Sequence, residues 1–392
     1  MFLTYLNSLY AHALSKYDRS VVKEYNLNFD TNIDKTEEGL ASKAFPQFRA
    51  NKRIPGAIKA LKHTLEKELP DIVHIQECRK FTTVLGEEVD SFTPFKTLLE
   101  SKGYKVLVAP YNPHGERAFK FITAYNPYRY RCEKTQSFYL TKTPDKPTTH
   151  PDVTGKSDEE KLHILEAVKE HNFGEEWERS TFLVQLRDKK TNVLISDFNV
   201  HLALPLDHKI KASRLMFQLI KQVLMEHPNS KIIAGGDWNT FPNIGGPEQL
   251  RILESDGILK DAVQNITLAN GLPVNTTFVC YPYDFGEENE RLTHEGIVAR
   301  LETLSPEQYK NGIENTFENE CFALGSKDGF KLDHIFYHGF ARSTCVLLPT
   351  PQFGEPKGGY TEESIKRYIL EHIDQGPAFS SDHQPTLTTL SF

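Results

Sequence analysis

The strongest constraint on this chain is an alternation. Short runs of β-branched and aromatic residues are separated by stretches with helical spacing, and several of the runs stop at a carboxylate, carboxamide or imidazole. Ile54, Ile58, Leu61, Leu65 and Leu69 recur at helical intervals, which predicts one buried helix face ahead of the run Asp71-Ile-Val-His-Ile-Gln-Glu77, a strand that ends in an acid. Tyr104 to Ala109, Phe119 to Ala124, Phe182 to Leu186, Val193 to Val200, Lys231 to Ala234, Leu332 to Tyr337 and Thr386 to Leu390 read as further strands, bounded by Pro, Gly, Asn and Asp. Helices are predicted at Asp158 to Glu170, Ala212 to His227, Pro247 to Leu253 and Glu362 to Ile373. Ser305-Pro-Glu-Gln308 has the form of a capping box, with proline at the first helical position.

No repeat of solenoid period divides the chain. The 392 residues read as a single domain, 1–392, with polar, strand-poor insertions at about 17–47 and 281–325 around an active face. No window reaches the roughly 18 apolar residues of a membrane span, so no stable membrane association is expected. The five cysteines are scattered, odd in number and free of Cys-x-x-Cys spacing. That excludes a disulfide framework and a zinc knuckle, fits a reducing compartment, and makes the cytoplasm the expected location. The sequons at Asn265 and Asn275 matter only in a secretory compartment. With 53 acidic against 46 basic residues the net charge is −7, so the chain as a whole offers no field that attracts a polyanion.

The chemistry gathers at the ends of the runs. Ile232-Ile-Ala-Gly-Gly-Asp237-Trp-Asn239 delivers a carboxylate and a carboxamide two residues apart, on one face of a strand; an Asp/Asn turn closing a strand would look the same. Ser381-Asp382-His383-Gln-Pro385 sets an acid beside an imidazole. Asp333 opens the run Asp333-His-Ile-Phe-Tyr337, where it can accept from a catalytic histidine's ring N–H and fix the tautomer. Asn199-Val-His201, Gln76-Glu77 and Asn7 complete the set.

In order and setting these segments resemble the endonuclease/exonuclease/phosphatase superfamily. The matching stretches are Tyr5-Leu-Asn7, Asp71 to Glu77, Asn199-Val-His201-Leu, Gly236-Asp237-Trp-Asn239, Leu332-Asp333-His-Ile-Phe and Ser381-Asp382-His383-Gln-Pro, and they span almost the whole chain. Ser137-Phe-Tyr-Leu-Thr-Lys-Thr-Pro144, followed by Trp177-Glu-Arg179-Ser-Thr-Phe, is similar to a Trp-Leu-Ser-x-Thr-Pro-Asp region in a subgroup of bacterial and fungal members. The runs characteristic of inositol-phosphate 5-phosphatases are absent from the sequence.

The resemblance implies a four-layer α/β sandwich, two mixed β-sheets packed face to face with helices on the outside. It implies a metal-dependent phosphohydrolase, a phosphodiesterase or nuclease-like enzyme ahead of a phosphatase or a phospholipid or sugar-phosphate phosphodiesterase. A catalytically inactive scaffold is the third reading. Glu77, Asn7 and Asp382 would serve Mg²⁺ or Mn²⁺, a hard cation that keeps most of its waters. Asp237, Asn239, His201, Asp333 and His383 would form the catalytic set, with either Asp237 or His383 as the base. Asn199 and Arg179 would contact substrate phosphate, Arg179 by a bidentate contact or else held in a surface ion pair. The expected partner is a phosphate ester, including a nucleotide or nucleic acid, without an obligate protein partner. Tyr125 to Arg131 offers aromatic and basic residues for a strand of nucleic acid, although an edge strand with alternating exposed charges is the preferred reading.

Overall fold

The computed structural model describes residues 2–8, 50–78, 80–82, 88–110, 120–140, 148–151, 155–157, 159–160, 163–164, 179–202, 206–240, 246–274, 277, 331–351, 353–361, 364, 367–368, 371–372 and 384–392. The expected insertions at 17–47 and 281–325, the helix expected from Ser305, Asp382 and His383 lie outside the described residues, and of Asn7 only the backbone is described.

In chain order the elements are β1 (Phe2–Ser8), α1 (Ala50–Lys67), β2 (Ile72–Cys78), β3 (Lys80–Thr82), β4 (Glu88–Asp90), α2 (Phe92–Ser101), β5 (Lys105–Pro110), β6 (Lys120–Tyr125), β7 (Tyr130–Tyr139) and β8 (Thr148–Thr149). There follow β9 (Ser180–Asp188), β10 (Leu194–His201), α3 (Leu206–Glu226), β11 (Lys231–Asp237), α4 (Gly246–Glu254), β12 (Lys260–Asp261), β13 (Asp333–His338), β14 (Arg342–Leu347) and β15 (Thr386–Ser391). One sheet has the order β14-β15-β1-β2-β6-β5, the other β12-β13-β11-β10-β9-β7-β8, and β3-β4 form a small hairpin. Both large sheets are mixed: β1 runs parallel to β2 and β10 parallel to β11, while the neighbouring pairs are antiparallel.

Each sheet has an outer face covered by helices. Val73, Ile75 and Cys78 of β2 pack with Ala57, Leu61 and Leu65 of α1 and Phe95 and Leu99 of α2. Phe198 and Val200 of β10, Ile232 and Ala234 of β11 and Phe336 of β13 pack with Leu215, Leu219 and Val223 of α3 and Leu253 of α4. The helix face predicted through Leu69 stops short of it: α1 ends at Lys67, Leu69 has φ +47° and is exposed, and Ala57, Leu61 and Leu65 bury the face.

The inner faces meet through polar groups. His74 Nε2 of β2 lies 2.6 Å from Asp197 Oδ2 of β10, and Gln76 Nε2 donates to Asn199 Oδ1 at 2.6 Å. Asn199 Nδ2 donates onward to Ile122 O at 3.0 Å and Thr123 Oγ1 at 3.3 Å on β6. Polar groups this deep are tolerated where they pair with one another across the sheets. They fix the stagger of the sheets, and the next step along both strands leads to the edge of the sandwich, where Glu77 meets His201. No helix among the described residues is long and apolar enough to cross a membrane.

Candidate active site

Three adjacent strands bring His201, Asp237 and Asp333 to one level. β10 and β11 pair in parallel with His201 opposite Asp237, and β11 and β13 pair in antiparallel with Asp237 opposite Asp333. All three side chains are buried. His201 Nε2 lies 3.3 Å from Asp237 Oδ2, and His201 Nδ1 lies 3.6 Å from Glu77 Oε1 on the opposing sheet. Arg179 Nη1, just ahead of β9, stands 3.0 Å from His201 Nε2 and 3.3 Å from Nδ1. The imidazole is therefore enclosed by two carboxylates and a guanidinium.

Two backbone devices deliver these groups. Strand alternation alone would turn Glu77 toward the helices with Val73 and Ile75. Instead β2 carries a bulge between Ile75 and Cys78, Glu77 takes φ +56°, and Cys78 replaces it in the outer core. At β11, Gly236 has φ +152°, and a Cβ there would lie 1.9 Å from Val200 O, so glycine alone lets β11 approach β10 this closely. The very next residue is Asp237.

Beyond β11 the chain turns at Asn239, which has φ +51°. Its N–H donates to Asp237 Oδ1 at 2.8 Å, and its Nδ2 donates to Leu202 O at 2.9 Å. Trp238 N donates to Leu332 O at 2.9 Å and its Nε1 to His334 O at 3.2 Å. Thr240 Oγ1 donates to Lys331 O and lies 2.8 Å from His334 Nε2. Asp333 is anchored through its own N–H, which donates to Thr277 Oγ1 at 3.1 Å. Thr277 O in turn accepts from Gln384 N at 2.7 Å, so one buried threonine ties the start of β13 to the residue that follows His383.

Glu77, His201, Asp237, Asn239 and Asp333 thus lie along one end of the sandwich, with Arg179 against His201. The two amide hydrogens of Asn199 go to Ile122 and Thr123 and its oxygen accepts from Gln76, so it cross-links the sheets. Arg179 reaches the imidazole of His201. In the Tyr125–Arg131 stretch, Arg129 lies 2.5 Å from Asp71 and 3.2 Å from Asp188, and Arg131 lies 2.8 Å from Glu133. Those guanidiniums are committed to carboxylates. Nothing in the sequence pointed to Thr277, whose partners are backbone groups far along the chain, or to the histidine pairs at His74 and His334.

The donors suit a hard cation. Glu77 and Asp237 offer carboxylate oxygens, while Cys78 turns to the outer core, where burial raises its thiol pKa. No cluster of three His, Cys, Asp or Glu side chains closes around one point among the described residues. Mg²⁺ does not require one, since one or two carboxylates with waters and substrate oxygens complete its shell.

The fold is that of endonuclease/exonuclease/phosphatase proteins. The whole chain superposes on a protein of that family from Bacteroides thetaiotaomicron, covering 97% of it with a TM-score of 0.51 and 14% identity. A mannosyl-6-phosphatase of B. thetaiotaomicron is covered over 100% of its length at TM-score 0.50 and 14% identity, and an endonuclease/exonuclease/phosphatase from Bacteroides vulgatus over 99% at 0.51 and 14%. By sequence, no family model and no curated protein matches.

Proposed function

We propose that this chain is a divalent-metal-dependent phosphohydrolase that cleaves a phosphodiester by attack of water. The observation that carries this reading is His201, held 3.3 Å from Asp237 and 3.6 Å from Glu77 with Arg179 Nη1 3.0 Å away, at the end of a fold of this class. Acid, base and phosphate-directed cation meet there in a largely dry setting, where each is worth more than in water.

Glu77, with Asn7 and Asp382, would hold Mg²⁺ or Mn²⁺, which supplies charge neutralisation on the phosphoryl oxygens and a lowered pKa for bound water. The chain's own groups do the rest. Asp237 Oδ2 takes the proton of the attacking water, while Oδ1 stays engaged with the Asn239 N–H. Asn239 uses one Nδ2 hydrogen on Leu202 O and turns the rest of its carboxamide to the water or the scissile phosphate. His201 and Arg179 donate to nonbridging oxygens as charge grows there. Asp333 orients His383, which protonates the leaving oxygen.

A monoester substrate is the second reading. Arg179 favours it, because a guanidinium beside the site matches the extra charge of a terminal phosphate, and a mannosyl-6-phosphatase shares the fold. The test compares bis(p-nitrophenyl) phosphate with p-nitrophenyl phosphate, with Mg²⁺ or Mn²⁺ against EDTA, for wild type and Asp237→Asn. Diester turnover abolished by EDTA and by the substitution supports the proposal, and monoester preference moves it to the second reading. No turnover together with no metal binding would leave a scaffold.

A further inference from the structure

The Asp237–Thr240 turn is gripped from behind by two side chains that the chemistry above does not use. Lys209 of α3 is fully buried, and its Nζ donates to Asn239 O at 2.7 Å. Gln249 of α4 is also fully buried, and its Nε2 donates to Trp238 O at 3.0 Å. Ser213 links the two, since its Oγ donates to Lys209 O at 2.7 Å and lies 3.4 Å from Gln249 Nε2.

A lysine is almost never fully buried, because its ammonium gives up strong hydration. A methionine would fill the same space without that cost. One group the ammonium holds is the carbonyl of Asn239, whose φ of +51° lies in the left-handed region that favours glycine and, among other residues, asparagine. The carbonyls of residues 238 and 239 are both pinned to the helix layer, so the two torsions that set the direction of the Asn239 side chain have little freedom.

We propose that Lys209 and Gln249 are positioning residues that lock the Trp238–Asn239 backbone so that the Asn239 carboxamide stays aimed at the reacting phosphate. The proposal rests on the phosphohydrolase reading, and its test is built to separate the two. The full chain carrying Lys209→Met is compared with wild type by amide hydrogen exchange at residues 238–240 and by turnover of bis(p-nitrophenyl) phosphate and p-nitrophenyl phosphate in Mg²⁺.

Exchange at these amides is expected to rise about tenfold or more. The kcat on the better ester should fall about 10- to 100-fold, as displacement of a positioned group by about 1 Å does, with KM and the half-saturating Mg²⁺ concentration within about threefold of wild type. A merely structural lysine would lower the folded fraction and leave kcat per folded molecule in place. A folded Lys209→Met protein with wild-type exchange at 238–240, or with kcat within about twofold of wild type, overturns the proposal. If Lys209→Met does not fold, Gln249→Leu, which releases the neighbouring carbonyl, is judged by the same readouts. If wild type hydrolyses neither ester, the functional reading fails by itself and exchange alone decides the brace: unchanged exchange overturns it and accelerated exchange supports it.

Discussion

Single residues set the approach of the strands and the charge behind the turn. Gly236→Ala would press a Cβ to 1.9 Å from Val200 O, so β11 must move away from β10 and take Asp237 from His201. The expected cost is at least the roughly 1–3 kcal/mol of a strained backbone position, read from urea unfolding, with turnover falling by about 10²-fold. Wild-type stability in this variant would show that the two strands are not held so close. His334 gives a pH prediction. Its Nδ1 lies 2.8 Å from Asp261 Oδ2 and its Nε2 3.0 Å from Lys331 O, so both ring nitrogens face acceptors. Burial opposes the charged ring, but the Asp261 carboxylate, the Lys331 carbonyl and the charge of Asp333 outweigh it and raise the pKa. A histidine raised on folding contributes stability that is complete below its unfolded value of about 6.5 and is lost as pH climbs through the folded value. Urea midpoints should therefore drop from about pH 6.5 upward in wild type, and His334→Gln should flatten that slope.

At the scale of elements, what the sequence made legible and what it did not separate cleanly at β2. The run Asp71 to Glu77 reads as a buried strand ending in an acid, because hydrophobic runs and their polar stops are local properties. Parity in that run places Glu77 on the face of Val73 and Ile75, toward the helices. The bulge that reverses this depends on how β2 pairs with β6 and on a left-handed residue, and neither leaves a mark in the run itself. The cross-sheet bonding of Asn199 was hidden for a related reason: its partners Gln76, Ile122 and Thr123 lie on the other sheet, more than 70 residues away. Lys209 was hidden too, since the Asn239 carbonyl it holds lies 30 residues further along the chain. The strand-end residues Asp237 and Asn239 were readable because glycines, acid and amide sit together in one short stretch. The cross-sheet rung gives a prediction of its own. Gln76→Leu removes the donor to Asn199 Oδ1 inside the sandwich and should cost about 1–3 kcal/mol. A double-mutant cycle with Asn199→Ala should return a coupling of about 0.5–3 kcal/mol, and a coupling near zero would show that the two amides do not lock the sheets.

On the proposed phosphohydrolase reading, the charge of the whole molecule decides which phosphate esters reach this edge. Affinity for a nucleic acid backbone comes chiefly from lysines and arginines that displace counterions, whereas this chain carries a net charge of −7. Three arginines around β7 and β9 are paired with carboxylates. Arg187 and Arg131 share Glu133 and hold its carboxyl down at about 2, and Arg129 serves Asp71 and Asp188 on the strands it ties together. Arg179, beside the imidazole, is a single guanidinium suited to one phosphate and not to a run of them. A fluorescent single-stranded oligonucleotide, titrated in EDTA at about 150 mM salt, should therefore bind no more tightly than the 10⁻⁴ to 10⁻⁶ M of weak sequence-independent contacts, with a shallow dependence on salt. Arg179→Ala should then raise KM for a small phosphate ester while leaving that weak oligonucleotide binding unchanged. Sub-micromolar binding with a steep salt slope would mean that the residues at 17–47 or 281–325 contribute a basic track, and the substrate class would shift to a nucleic acid.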